Sequence, residues 1–220
     1  MIVHKTISLA DQVFNRLEEE ILSGVYKRGE ILTEMRLCEA LGVSRTPIRE
    51  ARKRLEHEHN IEDCGKGMRV LSITADDAAC IYEMRRRIEG LAARACAENI
   101  NDDDLAQMRE VIDLQEFYAT RGDSEHVKVM DSEFHLMVYR CSGTTVLFDT
   151  LAPLHRKIQK YRKANIESKS RAVESVAEHR AIYEAIASRD ADAAERAMTN
   201  HVTSARDRLP RLKQTETKGE

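Results

Sequence analysis

Apolar residues recur at spacings of three and four along most of this chain and alternate over only two short stretches. Val13, Phe14, Leu17 and Ile21 mark a helix over Leu9 to Ser23, which Ser23-Gly24 closes. After a loop carrying Lys27-Arg28-Gly29, the pattern predicts a short helix from Thr33 to Leu41. Gly42 permits a tight turn, Ser44 stands where a helix cap belongs, and Pro47 falls in the first turn of the following helix. There Ile48, Ala51 and Leu55 form one apolar face. Ile61–Cys64 and Met68–Ser72 flank Gly65-Lys66-Gly67 and predict two hairpin strands. This order is that of a winged helix-turn-helix with a two-stranded wing, a fold whose helix after the turn enters the major groove of DNA.

From Thr74, a good cap, to about Leu209 the pattern is helical throughout. Six segments separate at Asn101-Asp102, Gly122-Asp123, Gly143 and Arg189-Asp190, over about 75–99, 102–120, 124–142, 145–164, 169–188 and 191–209. In the first, Ile81, Met84, Ile88, Leu91 and Ala95 make the stripe expected of a bundle helix. The fold class is therefore mainly α, with three parts: a winged helix-turn-helix over 1–73, an all-α antiparallel bundle over 74–209, and a polar tail over 210–220.

Composition narrows the function classes. The 220 residues hold 9 Gly and 3 Pro, too few for a disordered or collagen-like chain. No apolar run approaches the ~20 residues that span a bilayer, and the N-terminus lacks the pattern of a secretory signal. The five cysteines are widely spaced and never form a CxxC pair, which reads as reduced thiols in a cytoplasmic protein. A net charge of −3 does not announce a nucleic-acid binder. Ser44 to Glu56 is the local exception, with Arg45, Arg49, Arg52, Lys53 and Arg54 against Glu50 and Glu56. From charge alone it is either a phosphate-binding face or a solvated one.

The stretch Gly42-Val43-Ser44-Arg45-Thr46-Pro47-Ile48-Arg49-Glu50-Ala51 resembles the GntR family of bacterial transcriptional regulators. Ile21-Leu22-Ser23-Gly24, Leu32-Thr33-Glu34 with Leu37, and Gly67-Met68-Arg69-Val70 match the family's first helix, preceding helix and wing. The C-terminal part is similar to the FadR-type FCD ligand-binding bundle, through Met84-Arg85-Arg86-Arg87-Ile88-Glu89, Asp131-Ser132-Glu133-Phe134-His135, Glu178-His179-Arg180 and His201. Six helices rather than seven suggest the VanR-like branch. The chain also departs from the family. Arg28-Gly29 replaces Pro-Gly, which implies a looser turn, and Arg52 follows Ala51 where Leu is usual. His59-Asn60-Ile61 stands before the wing, with Asn60 able to supply a left-handed helix end. Met35 stands where some members carry a DNA-contacting Arg, beside Arg36.

The resemblance implies that Arg45, Thr46 and Arg49 contact DNA, and arginine pairs well with guanine O6 and N7. Ser44, Arg36, and Lys66 and Gly67 at the wing tip complete the DNA-binding set. In the bundle, Asp131 and His135 share one helix face with Val127, Phe134 and Val138. His179 and His201 also lie on apolar faces. By themselves these four are either a satisfied polar core or a divalent metal site. The resemblance maps all four onto the family's metal positions, with Zn or Ni as the expected ion. It also implies that Arg85 faces the cavity and pairs with a carboxylate effector; otherwise Arg85 is a surface residue like Arg86 and Arg87. Tyr139 and Tyr161 are candidate cavity residues, and His155 reads as structural.

The expected protein is a cytoplasmic homodimeric regulator, usually a repressor in this family, on an inverted-repeat double-stranded DNA operator. A small organic acid would modulate it, and no membrane is involved. The rivals are a regulator for which the ion itself is the signal, and a helical metalloenzyme. Against the enzyme, the sequence has no HExxH, no Glu-x-x-His diiron signature and no phosphate loop.

Overall fold

In a computed structural model, which describes residues 7–158 and 169–209, the chain divides into two compact units, Met1–Thr74 and Ala75–Glu220. In the first unit, α1 (Leu9–Leu22) is capped by Ser8, whose Oγ accepts from the Asp11 N–H. Thr33 caps α2 (Glu34–Leu41), and Gly42 ends it in the left-handed conformation at φ 66°. The third helix, α3 (Arg45–His57), buries Pro47, Ile48, Ala51 and Leu55. These pack with Val13, Phe14, Leu17, Ile21, Leu32, Leu37, Ile61, Met68 and Val70 into one core.

Ser44 departs from its expected role. Its backbone is extended as a cap should be, but its hydroxyl makes no capping hydrogen bond. A cap of this kind bonds the N–H of the second or third helical residue, and the third residue here is Pro47, which has none. The helix end also differs from expectation. His59, at φ 56°, is the left-handed residue, while Asn60 is buried and its carbonyl accepts from the Leu71 N–H.

The wing has three strands rather than two. Ile31–Leu32 (β1) pairs antiparallel with β3 (Met68–Val70), which also pairs with β2 (Ile61–Asp63), in the order β1-β3-β2. Two residues are too few to show alternation, so β1 is invisible in the pattern. The Arg28-Gly29 turn is held firmly: the Arg28 guanidinium donates to the carbonyls of Leu71 and Ser72, and the Gly29 N–H donates to Val70 at 2.8 Å.

The second unit contains α4 (Ala75–Asn99), α5 (Asp102–Arg121), α6 (Ser124–Cys141), α7 (Thr145–Lys157), α8 (Lys169–Ala187) and α9 (Ala191–Asp207). Asn101, Asp123, Thr144 and Asp190 cap α5, α6, α7 and α9. The segment expected to reach residue 164 is helical to Lys157; its remainder, Tyr161 and the 210–220 tail lie outside the described residues. α4 packs against α6, α7, α8 and α9, and α5 against α6 and α8. Gly90 lets α9 come close, since a Cβ there would stand 2.6 Å from Thr199 Oγ1. No described helix is long and apolar enough to cross a membrane.

The phase of α4 departs in part from the stripe read from sequence: Ile81 is buried and Ile88 and Ala95 are half-buried, but two members point out. Met84 and Leu91 are 37% and 49% exposed, whereas Ala78, Tyr82, Arg85, Glu89, Ala92, Ala93 and Cys96 are buried. The inward face carries a charged pair, and a periodicity of apolar residues counts such a pair as outward.

Gly67 tests the wing. At φ 152°, a Cβ would lie 2.6 Å from the Leu32 carbonyl oxygen, while the same addition at Gly65 (φ 72°) meets nothing within 4 Å. Gly67→Ala is expected to destabilise the first unit by about 2–3 kcal/mol, and Gly65→Ala by about 1 kcal/mol. Denaturant unfolding of the full chain compares them, and equal losses would refute the close packing of β1 on β3.

Candidate functional site

On the first unit, Ser44, Arg45, Thr46 and Arg49 stand exposed together at the start of α3. Among the described residues Arg45 engages no ion pair. Arg49 lies 3.0 Å from Glu34, but at 60% side-chain exposure that bond contributes ~1 kcal/mol or less and yields readily to a phosphate or base edge. Arg36 bonds Glu30 at 2.8 Å and lies over the Tyr26 ring. Lys66 is exposed at the wing tip. Gly67, next to it, is required by the approach of β1, a structural role that the sequence pattern did not show. Two other arginines belong to the fold. Arg52 bridges Glu56 and Asp63, tying α3 to β2; Arg54 pairs with Asp11 and covers the Phe14 ring at 3.8 Å.

In the bundle, Asp131 and His135 of α6, His179 of α8 and His201 of α9 are all buried. Candidate ligand atoms of His135, His179 and His201 lie within 4.8 Å of one another. His179 Nε2 is 3.2 Å from His201 Nε2 and 3.6 Å from Asp131 Oδ1. Two nitrogens on a tetrahedral zinc stand about 3.3 Å apart, so the spacing fits a shared ion.

The other nitrogen of each ring faces an oxygen. His179 Nδ1 is 2.9 Å from Gln115 Oε1, His201 Nδ1 is 2.8 Å from Glu178 Oε2, and His135 Nδ1 is 3.2 Å from Glu89 Oε2. At His179 and His201 this oxygen is a hydrogen-bond acceptor, which puts the proton on Nδ1 and leaves the Nε2 lone pair for a metal. Burial pushes the His135 imidazole below its ordinary value and brings His201 down to about 4, against the pull of Glu178. Both are then neutral at pH 7, the form that ligates. Burial raises Glu178, but His201 and Arg171 outweigh it and hold that carboxyl at about 2.

Arg85 is fully inside rather than on the surface, and its Nε–H is bonded to Glu89 one turn along α4. Burial opposes the charge on Glu89, yet Arg85 and His135 hold its carboxyl well below the usual range. His155 joins this group. Its ring centroid is 4.9 Å from that of His135, its Nδ1 is 3.4 Å from the buried Tyr139 hydroxyl, and its Nε2 has no hydrogen-bond partner among the described residues. Glu89, His135 and His155 form a second close set of possible ligand atoms.

Comparison with known proteins decides the family. The family described as "FCD domain" matches residues 80–204, and "Bacterial regulatory proteins, gntR family" matches residues 9–68. The chain belongs to the GntR family, with an FCD domain. It is 29% identical over 193 residues to the uncharacterized HTH-type transcriptional regulator YdhC of Bacillus subtilis, covering 86% of each chain. It is 24% identical to the HTH-type transcriptional repressor RspR of Escherichia coli, covering 96% of this chain and 93% of that one. The solved structure of E. coli McbR/YncC superposes with a TM-score of 0.78 at 23% identity, covering 90% of this chain and 95% of that one, and shares the fold. The chain is thus a DNA-binding transcriptional regulator, and its relatives are regulators rather than enzymes.

Four residues of this buried polar cluster escaped the sequence reading in this role: Glu89, Gln115, His155 and Glu178. Gln115 left a signal. Met108, Ile112, Gln115 and Ala119 form one buried line on α5, and a lone polar side chain in such a line needs a partner. Glu178 neighbours His179 in sequence but serves His201, a pairing between helices that spacing does not reveal.

The Arg85–Glu89 pair gives a direct test. Glu89→Gln leaves the Arg85 charge buried without its counter-ion and is expected to destabilise the bundle by about 3–5 kcal/mol. Arg85→Met with Glu89→Leu removes both charges and should recover most of that loss. Unfolding measured in chelator compares them; a Glu89→Gln chain as stable as wild type would disprove the buried pair.

Proposed function

We propose that this regulator binds an inverted-repeat operator as a symmetric homodimer in the cytoplasm, as a repressor, and responds to a small organic acid through a divalent ion held in its bundle. The observation that carries the ion is the convergence of three buried imidazoles, with Asp131 beside His179 and an oxygen near the Nδ1 of each ring. Asp131, His135, His179 and His201 would hold Zn²⁺ or Ni²⁺. The ion supplies a fixed positive charge with exchangeable positions that an anion can take. Arg85 offers the acid its terminal amino groups, since Glu89 occupies its Nε–H.

On the DNA side, α3 presents Arg45, Thr46 and Arg49 to base edges. Ser44 and Lys66 meet phosphates, and Arg36 supports them from α2. The uncommitted Ser44 hydroxyl suits a phosphate oxygen. The domain limits we assign are 1–73 for DNA and 74–209 for dimerisation and effector binding. Arg45→Ala or Arg49→Ala is expected to lose roughly 1–3 kcal/mol per half-site and to relax base preference. Lys66→Ala should weaken all sequences alike and flatten the salt dependence. Operator titrations at several salt concentrations test this, and wild-type binding by both arginine variants would exclude α3 as the reading helix.

A second reading has support from the Arg85–Glu89 pair, which already neutralises the arginine expected to meet the acid. In that reading the ion itself is the signal. Metal titration of operator affinity with and without carboxylates separates the two. Both require about one ion per chain, lost in His179→Ala together with the thermal stability that the ion adds. Elemental analysis and melting curves with and without chelator check this, and a wild-type protein that takes up neither Zn²⁺ nor Ni²⁺ at neutral pH would end both.

A further inference from the structure

Three polar atoms that meet inside the bundle have no hydrogen-bond partner. Glu89 on α4, His135 on α6 and His155 on α7 are buried, none more than 2% exposed, and possible ligand atoms of the three lie within 4.8 Å of one another. One atom of each is without a hydrogen bond among the described residues: Glu89 Oε2, His135 Nδ1 and His155 Nε2. Glu89 Oε2 and His135 Nδ1 stand 3.2 Å apart without the alignment of a hydrogen bond, as two groups do when a third atom serves both. A buried polar atom left unpaired is costly, and three together mark a place built for a guest.

The other polar atoms around them say what the guest must offer. Glu89 Oε1 accepts from the Arg85 Nε–H, and His155 Nδ1 lies 3.4 Å from the buried Tyr139 hydroxyl. That hydroxyl gives its proton to Nδ1, so the imidazole's own proton sits on Nε2. The guest therefore donates to Glu89 Oε2 and accepts from His155 Nε2–H. A carboxylate has no proton to give. An ammonium has no lone pair and would face the Arg85 charge. A methyl group does neither. An alcohol hydroxyl does both, with a second lone pair for a proton on His135 Nδ1.

We propose that Glu89, His135 and His155 form a hydroxyl-binding site, so that the effector of this regulator is a hydroxy acid rather than a plain carboxylate. The inference rests on the carboxylate reading above and names the class of acid. The Arg85–Glu89 pair joins the two contacts. The terminal amino groups of Arg85 are those offered to the carboxylate, and Glu89 Oε2, on the same ion pair, takes the hydroxyl. One ion pair meeting both groups favours 2- and 3-hydroxy acids, and His155 is the residue that sets the preference.

The test uses the full-length protein loaded with Zn²⁺ and isothermal titration calorimetry with acids that differ by one hydroxyl. The pairs are malate and succinate, lactate and propionate, and 3-hydroxybutyrate and butyrate, with both enantiomers of each chiral acid. At least one hydroxy acid should bind about tenfold or more tighter than its partner, which leaves the buried polar atoms unpaired. His155→Phe keeps a ring without the donor and should bring that ratio to within about threefold, while His155→Gln restores an N–H and should recover it in part. Zn²⁺ content is measured in each protein. Equal affinities within every pair would overturn the hydroxyl site and leave the carboxylate reading standing, whereas binding of none of the acids would overturn both. Two Zn²⁺ per chain, falling to one in His155→Phe, would also overturn it, because the three atoms would then hold a second ion. The wild-type comparison decides the matter even if a His155 variant misfolds.

Discussion

The helical unit is organised by the burial of opposite charges on one turn of α4. Arg85 and Glu89 have no access to water, so each depends on the other to avoid an isolated interior charge. Glu89 has a second oxygen, and it faces His135 on α6. His135 converges with His179 and His201, which are held by Gln115 on α5 and by Glu178 on α8. Arg171 in turn pairs with Glu178. One polar network therefore runs through four packed helices, α4, α6, α8 and α9, and reaches α5 through Gln115. Such networks stabilise only when their members are satisfied, which ties the packing of each helix to that of the others.

The DNA-binding unit follows a different physical rule. Its core is aliphatic, and its arginines are divided by partner. Arg52 and Arg54 are spent on acidic groups of the fold, while among the described residues Arg45 stands exposed without an ion pair and Arg49 holds a solvated one. Pro47 contributes in two ways. It fills a buried position at the start of α3, and its missing N–H leaves the Ser44 hydroxyl without its usual capping partner.

Much of the fold was legible in the sequence. The helix start at Thr33, the breaks at Asn101-Asp102 and Arg189-Asp190 and the tight turn at Gly42 are local events, decided within a few residues, and the structure has them where the pattern placed them. The four-residue step from Asp131 to His135 needs only a helix to place both on one face. The Gly42 to Ala51 stretch carries the family by residue identity. The phase of α4 was misread at Met84 and Leu91 because hydrophobic periodicity assumes an apolar inner face, and this one holds Arg85 and Glu89.

The sequence alone determined what depends on neighbours along the chain: helices, turns, the wing hairpin, and the residue types able to meet DNA or a metal. Tertiary structure alone decided what depends on neighbours across it. The third strand at Ile31–Leu32 and the oxygens behind His135, His179 and His201 join segments distant in sequence. No spacing rule encodes these pairings, because they are set by which faces of separate helices come together when the core excludes water.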